Sequence, residues 1–476
     1  MTAPSDSVED VVERAATGAR LLTVRGAGMR LVSVASNLLL IVLVTPADLG
    51  LLAVVRGIAA LAGDSSDLGF AWALLRRPEP PTPEAYRSLG GIQLLLVSVF
   101  VGVALAIPGL FSFLGPAAAV PRWGVGAVLL TLLTLPLGTG GRIRVERDMD
   151  YRRIAFLDVS SVLFQNLILL AGALTHHFAA GVFVATGTAI LYTNLLLWWW
   201  APGPLPGFSL RGWRLLAGEF AGFSLGHLGS MLNASVTPIL IANLFGLSIA
   251  GLWSFATRLG NVLQLAFEGF RRAAIPAAAF LARSPEALRQ LAQQSAIGAA
   301  RLTCPAAALA VAALPVLGWL LPQWLPAVVL AQGYAVVFAI AGVIGASLVP
   351  VAVAERGASV VLAEQWAPLI VGWIGFGVLA LAHATALVWV AIPMFVAEVI
   401  AVWFVTPATL RLRWNATLTT TVAAPAAALA ATAATLALRL HPLVIAATAA
   451  VVFLGAHTAR RVWLMPALMP DTSRGG

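Results

Sequence analysis

The sequence predicts an all-α integral membrane protein of about fourteen transmembrane helices. Three observations carry that expectation. Of the 476 residues, 60% are hydrophobic and only 10% are charged, whereas soluble domains carry roughly 25% charged residues. Mean hydropathy is +0.92. Apolar runs of about 20 residues, the length a helix needs to cross the hydrocarbon core, recur along the whole chain.

The expected spans lie near 26–45, 50–75, 89–114, 122–140, 155–175, 178–200, 218–245, 248–270, 296–321, 327–353, 358–382, 384–406, 417–438 and 441–459. The last two are dominated by Ala and Thr. Odd-to-even connections (46–49, 176–177, 246–247, 322–326, 383) are short and nearly free of arginine. Even-to-odd connections are basic: Arg76, Arg77 and Arg87, then Arg142, Arg144, Arg147, Arg152 and Arg153, then Arg211 and Arg214, then Arg271, Arg272, Arg283 and Arg289, then Arg356, then Arg411 and Arg413, with Arg460 and Arg461 in the tail; Arg122 and Arg439 are exceptions on the other side. Basic loops stay on the cytosolic side, so the pattern puts both termini in the cytosol. Trp198, Trp199 and Trp200 end one span, where an interfacial aromatic belt belongs.

Net charge is +9, and all 29 basic residues are arginine. In a soluble chain such an excess would suggest nucleic acid; between apolar spans it sets orientation and meets anionic headgroups. No nucleic-acid partner is expected. Asp6, Glu9, Asp10 and Glu13 near the start argue against a secretory signal, whose first region is basic. The lone cysteine, Cys304, excludes an intrachain disulfide and a cysteine-based metal site; it reads as a small packing residue.

The stretch Thr45–Arg77, TPADLGLLAVVRGIAALAGDSSDLGFAWALLRR, organises the rest. Arg56, Asp64 and Asp67 sit inside a membrane-length apolar run. Charges at such depth are costly and face a bundle interior or a wet cavity. A short internal repeat relates GLLAVVR from Gly50 to GLWSFATR from Gly251, with the arginines one residue out of register. The linker APGPLPG at 201–207 lies between the halves. Two six-helix lobes related by a repeat are a common transporter plan. The expected divisions are a cytosolic tail 1–22, an N-terminal lobe 23–200, a linker 201–216, a C-terminal lobe 217–406, a terminal helix pair 407–460 and a tail 461–476.

Several blocks carry a resemblance: DLGFAWALLRR, RVERDMDYRRIAFLDVSS after the fourth span, GLWSFATRLGNVLQLAFEGFRRAAIPAAAFLA, and WLLPQWLPAVVLAQGYAVVFAIAGVIGASLVPVAVAERG. In this order and spacing, over roughly residues 20–410, the chain resembles the polysaccharide transporter family of oligosaccharide-lipid flippases. That family shares a superfamily with the multidrug and toxin extrusion antiporters and the peptidoglycan-precursor flippases. The resemblance implies a V-shaped, pseudo-two-fold pair of six-helix lobes plus a C-terminal helix pair. It implies alternating access and transfer of an undecaprenyl-pyrophosphate-linked oligosaccharide across a bacterial inner membrane for surface polysaccharides such as lipopolysaccharide. Partners would be that lipid, membrane lipids, a polymerase and glycosyltransferases; one chain would suffice.

At 1.5 Å of rise per residue, Arg30 lies about 22 Å below the outer end of span one and Arg258 about 15 Å below that of span eight. Asp64 lies about 21 Å down span two, and Arg56 about 9 Å. Arg30, Arg258 and Asp64 are therefore expected near the midplane with Arg56 above them. Arginine supplies the forked donors a pyrophosphate needs. The resemblance places cavity arginines on spans one, two and eight, which Arg25 or Arg30, Arg56 and Arg258 match. The opposing reading is that Arg25 and Arg30 reach back to the interface and that Arg258 pairs with a carboxylate.

A carboxylate in an apolar site can carry a proton or hold Na⁺. Asp64 and Glu268 are the coupling candidates; Asp67 reads as structural, and His227 as a packing residue. No cofactor is expected beyond H⁺ or Na⁺. No phosphate-binding GxxxxGK[ST] loop and no HExxH metal helix is present, and the outer loops are too short for a glycosyltransferase site. The chain is not expected to be an enzyme, with no catalytic or metal-ligating residues. The rivals are a multidrug antiporter, a membrane enzyme acting on lipid-linked sugars and a non-transporting scaffold.

Overall fold

The computed structural model describes residues 38–67, 81–106, 122–148, 150–207, 223–259, 284–335 and 358–383, with isolated positions such as Leu74 between them. The described residues are helical with short connections and contain no strand. Among the described residues, six helices are long and apolar enough to cross a membrane: Pro46–Gly63, Pro83–Val103, Trp123–Arg147, Arg152–Leu174, Phe178–Trp200 and Leu228–Phe245. Two shorter apolar stretches, Ala306–Leu320 and Gln365–Leu381, follow. The architecture is the expected all-α membrane fold. The spans expected at 384–406, 417–438 and 441–459 lie outside the described residues, as does most of the first.

Contacts divide the chain into two compact units, Met1–Gly251 and Leu252–Gly476. In the first unit, α1 (38–43) leads to α2 (Pro46–Asp67). Thr45 caps α2 reciprocally. Its hydroxyl donates to Asp48 Oδ2 at 2.7 Å, its own N–H reaches the same oxygen at 3.0 Å, and Asp48 N–H donates to Thr45 Oγ1 at 3.3 Å. Pro46 takes the first helical position, where its missing N–H costs nothing. Span two therefore begins at Pro46, not Gly50: the expected 46–49 loop is the first turn of the helix.

The next helices are α3 (Pro83–Ala106), α4 (Arg122–Thr131), a 3₁₀ turn (Leu132–Thr134) and α5 (Leu135–Arg147). Here the expected basic loop is corrected. Arg142, Arg144 and Arg147 lie on α5 itself, which runs beyond the expected end at 140. Arg142 Nε pairs with Glu146 Oε1 one turn on at 2.9 Å. Cations also suit a helix C-terminus, where unpaired carbonyls gather. Arg144 lies 4.9 Å from the Tyr86 ring centroid and donates to the Pro202 carbonyl at 2.5 Å. Arg147 donates to the Leu74 carbonyl at 3.0 Å. A buried cluster of Leu74, Ala85, Tyr86, Leu89, Ile92 and Ile143 underlies them. This end of the unit is thus tied by arginine to backbone carbonyls. The 201–207 segment belongs to the same tie, since Gly207 N–H donates to the Arg87 carbonyl at 3.0 Å.

α6 (Tyr151–Leu174) and α7 (Phe178–Trp200) form a hairpin. His176 turns it in the left-handed region (φ 58°), and His177 N–H closes on the Gly172 carbonyl at 2.8 Å, a Schellman-type stop. The helices approach so closely at Gly172 and Gly181 that a Cβ on Gly172 would lie 3.0 Å from the Gly181 Cα. Trp198 and Trp199 face outward, 41% and 76% exposed, as an interfacial belt requires. α8 (Phe223–Phe245) packs along α2 and ends at Gly246 (φ +96°). There α9 (247–259) begins, and the unit boundary falls within it.

In the second unit, α10 (Pro285–Leu320) is a single 36-residue helix whose N-cap, Ser284, accepts from Ala287 N–H. It starts eleven residues before the expected 296 because Ser284–Pro285 supplies a cap and a first-turn proline. A 3₁₀ turn (Pro322–Trp324) leads to α11 (325–335), and α12 (Ala358–Leu381) follows. Trp253 of α9 packs edge-on to Tyr334 (5.3 Å between centroids) and Phe376 (6.1 Å), while Phe255 meets Trp324 at 5.0 Å. Gln332 Nε2 donates to the Val311 carbonyl at 2.9 Å, tying α11 to α10.

Candidate functional site

Four helices of the first unit present stripes at helical spacing to one cavity of about 390 Å³. α2 contributes Arg56, Ala59, Ala60 and Gly63; α5 contributes Leu135, Gly138, Thr139 and Arg142. α6 adds Ser161 and Gln165, and α7 adds Thr186, Thr193 and Asn194. The small residues make the space. Among the described residues, Gly63 has only Leu132 and Leu135 side-chain carbons near it, at 3.7 and 3.8 Å from where a Cβ would stand. Gly138 sits directly against Asn194.

The wall is polar and ordered. Ser161 and Thr193 share a hydrogen bond of 3.1 Å across α6 and α7, reinforced by Ser160 with Tyr192 at 2.9 Å. Asn194 Nδ2 donates to Thr134 Oγ1 at 3.1 Å. Thr186 and Thr139 donate to carbonyls of their own helices, at 2.8 and 3.0 Å.

Arg56 is half-buried on α2, and its Nη2 donates to Gln165 Oε1 at 2.8 Å. Its partner is therefore a neutral amide. No carboxylate stands among the described residues lining the cavity. Arg142 marks the other end and is about half exposed, paired with Glu146. Among the described residues, no group of His, Cys, Asp or Glu has the makings of a metal site, and a guanidinium-lined space repels a cation.

Of the residues singled out from sequence, Arg56 lies in this cavity. Asp64 and Asp67 are on the last turns of α2, with side chains outside the described residues. Arg258 is half-buried on α9, in the second unit. His227 is on α8, its side chain outside the described residues. Arg25, Arg30 and Glu268 also lie outside them, so the expected midplane meeting of Arg30, Arg258 and Asp64 falls beyond what is described. Sequence reading passed over Gln165, Ser161, Thr193 and Asn194. The available signal was polar side chains inside the apolar fifth and sixth spans, in FQN and YTN.

A second cavity of about 590 Å³ lies at the Thr45 end of α2, against Asp48, Trp123, His176 and His177. It includes none of the expected site residues.

Comparison with solved structures gives the fold a setting. The chain is similar to a lipid II flippase, MurJ, in an inward closed conformation, with a TM-score of 0.66, 10% identity, and coverage of 93% of this chain and 99% of that one. It is similar to an inward-facing multidrug resistance MATE family transporter of the MOP superfamily, with a TM-score of 0.51, 14% identity, and coverage of 84% and 95%. A MATE mutant structure matches with a TM-score of 0.50, 15% identity, and coverage of 83% and 94%. At these identities the likeness is one of fold. No curated protein matches the sequence. The family profile described as polysaccharide biosynthesis protein matches residues 39–329, more than half of the chain. With the helical membrane fold and the polar intramembrane cavity in place, the chain belongs to the polysaccharide biosynthesis protein family.

Proposed function

We propose that this protein is a flippase. It moves an undecaprenyl-pyrophosphate-linked oligosaccharide across the bacterial inner membrane by alternating access, for surface polysaccharide assembly. The observation that supports this most is Arg56: a cation held at a cavity inside a membrane-spanning helix, against a neutral partner and a wall with no carboxylate among its described residues. A charge in that position is expensive unless an anion visits it. Membership of a polysaccharide biosynthesis family and likeness in fold to a lipid II flippase point the same way.

In this reading Arg30, Arg56 and Arg258 bind the pyrophosphate, and Asp64 and Glu268 couple transport to H⁺ or Na⁺. The lobes are 23–200 and 217–406, joined by the linker 201–216 and followed by the helix pair 407–460; both termini are cytosolic. Polymerase and glycosyltransferases supply and consume the cargo, and a single chain performs the transfer.

The test is flipping of a fluorescent undecaprenyl-pyrophosphate sugar in proteoliposomes. Intact protein transports it. Arg56→Ala slows transport about 10- to 100-fold, the size of a lost charge-assisted hydrogen bond of about 1.5–3 kcal/mol. Transport no faster than in empty vesicles would sink the proposal, and a rate indifferent to H⁺ and Na⁺ gradients would remove the coupling roles. The likeness to a multidrug transporter supports a second reading, antiport of drugs. Efflux of cationic dyes without lipid flipping would select it.

A further inference from the structure

We propose that the second cavity, at the Thr45 end of α2, is a lipid-headgroup site that holds the primary ammonium of a phosphatidylethanolamine, with Asp48 as its anionic acceptor and Trp123 as its aromatic wall. This goes beyond the flippase reading: it concerns another cavity, another ligand and none of the residues given to the cargo.

The two cavities of the first unit have opposite chemistry. The described residues lining the first include Arg56 and Arg142 and no carboxylate. Those lining the second include Asp48 and no arginine. The start of α2 orients Asp48. Its Oδ2 accepts from the Thr45 hydroxyl at 2.7 Å and from the Thr45 N–H at 3.0 Å. Among the described residues nothing donates to its Oδ1. A carboxylate with one oxygen held by the protein and the other uncommitted is a fixed acceptor for a cation.

The rest of the wall selects the cation. Trp123 is 66% exposed and leans on Phe183, with 5.7 Å between ring centroids; of the aromatic rings, indole holds a cation best. His176 and His177 stand on the two-residue turn between α6 and α7, which the bond from His177 N–H to the Gly172 carbonyl fixes at 2.8 Å. A neutral imidazole keeps one acceptor nitrogen. A primary ammonium has three N–H donors, and Asp48 with the two imidazoles supplies a matching set of acceptors. A quaternary ammonium would use the ring and leave those acceptors idle. A hard divalent ion such as Ca²⁺ takes about six to eight oxygens. Among the described residues, the side-chain oxygens on this wall are those of Thr45 and Asp48.

Location says where the amine comes from. The cavity lies where α2 and α4 begin and α6 ends. The ends of membrane-spanning helices sit at headgroup depth, where tryptophan also gathers. Leu43 on the cavity wall is exposed, and so are Leu39 and Val42 beside it on α1. In a membrane these apolar side chains meet acyl chains. An occupant with its amine in the cavity and its tails along α1 is a lipid. The volume of about 590 Å³ suits a headgroup, since small-molecule sites run from about 300 to 1,000 Å³.

The experiment is native mass spectrometry of the full-length protein in detergent micelles, titrated with phosphatidylethanolamine, phosphatidylcholine and phosphatidylglycerol of matched acyl chains. Saturable binding of phosphatidylethanolamine is expected, about 10-fold tighter than its trimethylated counterpart, phosphatidylcholine. Asp48→Asn keeps an oxygen for the Thr45 cap and should abolish that preference. Trp123→Leu should weaken phosphatidylethanolamine about 3-fold. His176→Asn covers the case in which Asp48→Asn does not fold. It changes an exposed residue at φ 58° to one that the left-handed region accepts, and should lower the preference about 3-fold. Equal binding of phosphatidylethanolamine and phosphatidylcholine, tighter binding of phosphatidylglycerol, or an undiminished preference in both Asp48→Asn and His176→Asn would overturn the site. Displacement of the lipid by free ethanolamine at equal concentration would overturn its assignment to a lipid. A protein that shows the preference but flips no diphosphate-linked sugar refutes the transport reading and leaves this site standing; one that flips without the preference does the reverse.

Discussion

One face of α2 is closed against protein and another opens on a cavity. Gly50 and Gly57, seven residues apart, share the closed face. Gly50 sits against the Leu247 carbonyl, while a Cβ on Gly57 would come within 2.5 Å of the Ser235 carbonyl and 3.3 Å of Ile239. Gly251 in turn lies against the Pro46 carbonyl. On the open face Gly63 meets, among the described residues, only leucine side chains at ordinary contact distance, beside Arg56, Ala59 and Ala60 at the cavity. The same residue type thus does two different things along one helix. At Gly50 and Gly57 it admits another backbone; at Gly63 it leaves room. Packing between membrane helices depends on such close approach, because lipid is as apolar as the side chains it replaces.

Substitutions separate the two faces. The largest effect is expected from Gly50→Val, which forces a branched side chain into a backbone carbonyl and should cost about 3 kcal/mol. A marked fall in the thermal midpoint of purified protein checks it; an unchanged midpoint would mean that the Leu247 turn yields freely. Gly57→Ala should cost about 1–2 kcal/mol, since Ile239 can give way but the Ser235 carbonyl cannot. Thr45→Val removes the reciprocal cap of α2 and should cost about 1 kcal/mol, read as loss of amide protection over the first turn. Gly63→Ala has the smallest effect and the opposite sign: about 0.5–1 kcal/mol of stabilisation from helix propensity. A lower midpoint for Gly63→Ala than for Gly57→Ala would break the comparison.

Much of the helix order was legible because a membrane leaves the backbone few options: spanning segments must satisfy their own N–H and C=O groups. Where an apolar run stops for one or two residues, as at His176–His177 and Gly246, the chain can only turn. Helix ends in polar surroundings were less legible. Thr45–Asp48 looked like a loop because its cap lies in side-chain oxygens, and Arg142–Arg147 looked like a loop because charge was read as orientation alone. In the fold, Arg144 and Arg147 also hold carbonyls of Pro202 and Leu74. Arg56 was legible as a buried charge. Gln165 was not, because its importance lies in a contact 109 positions away in the chain, which no local pattern encodes. The cavity was hidden for the same reason: it is the meeting of four stripes, each of which reads by itself as ordinary packing.

The 36-residue α10 has a consequence for depth. At 1.5 Å per residue it is about 54 Å long, and even at a steep tilt of about 40° it spans about 41 Å along the bilayer normal. The hydrocarbon layer is about 30 Å thick. Its most apolar part is Ala306–Leu320, so the surplus falls at the Pro285 end, where Gln290 and Gln294 are exposed. The helix is therefore a ruler with one end in water: a probe at Gln290 is quenched by aqueous iodide, one at Leu309 by brominated acyl chains, and the crossover between them marks the membrane surface on the protein itself.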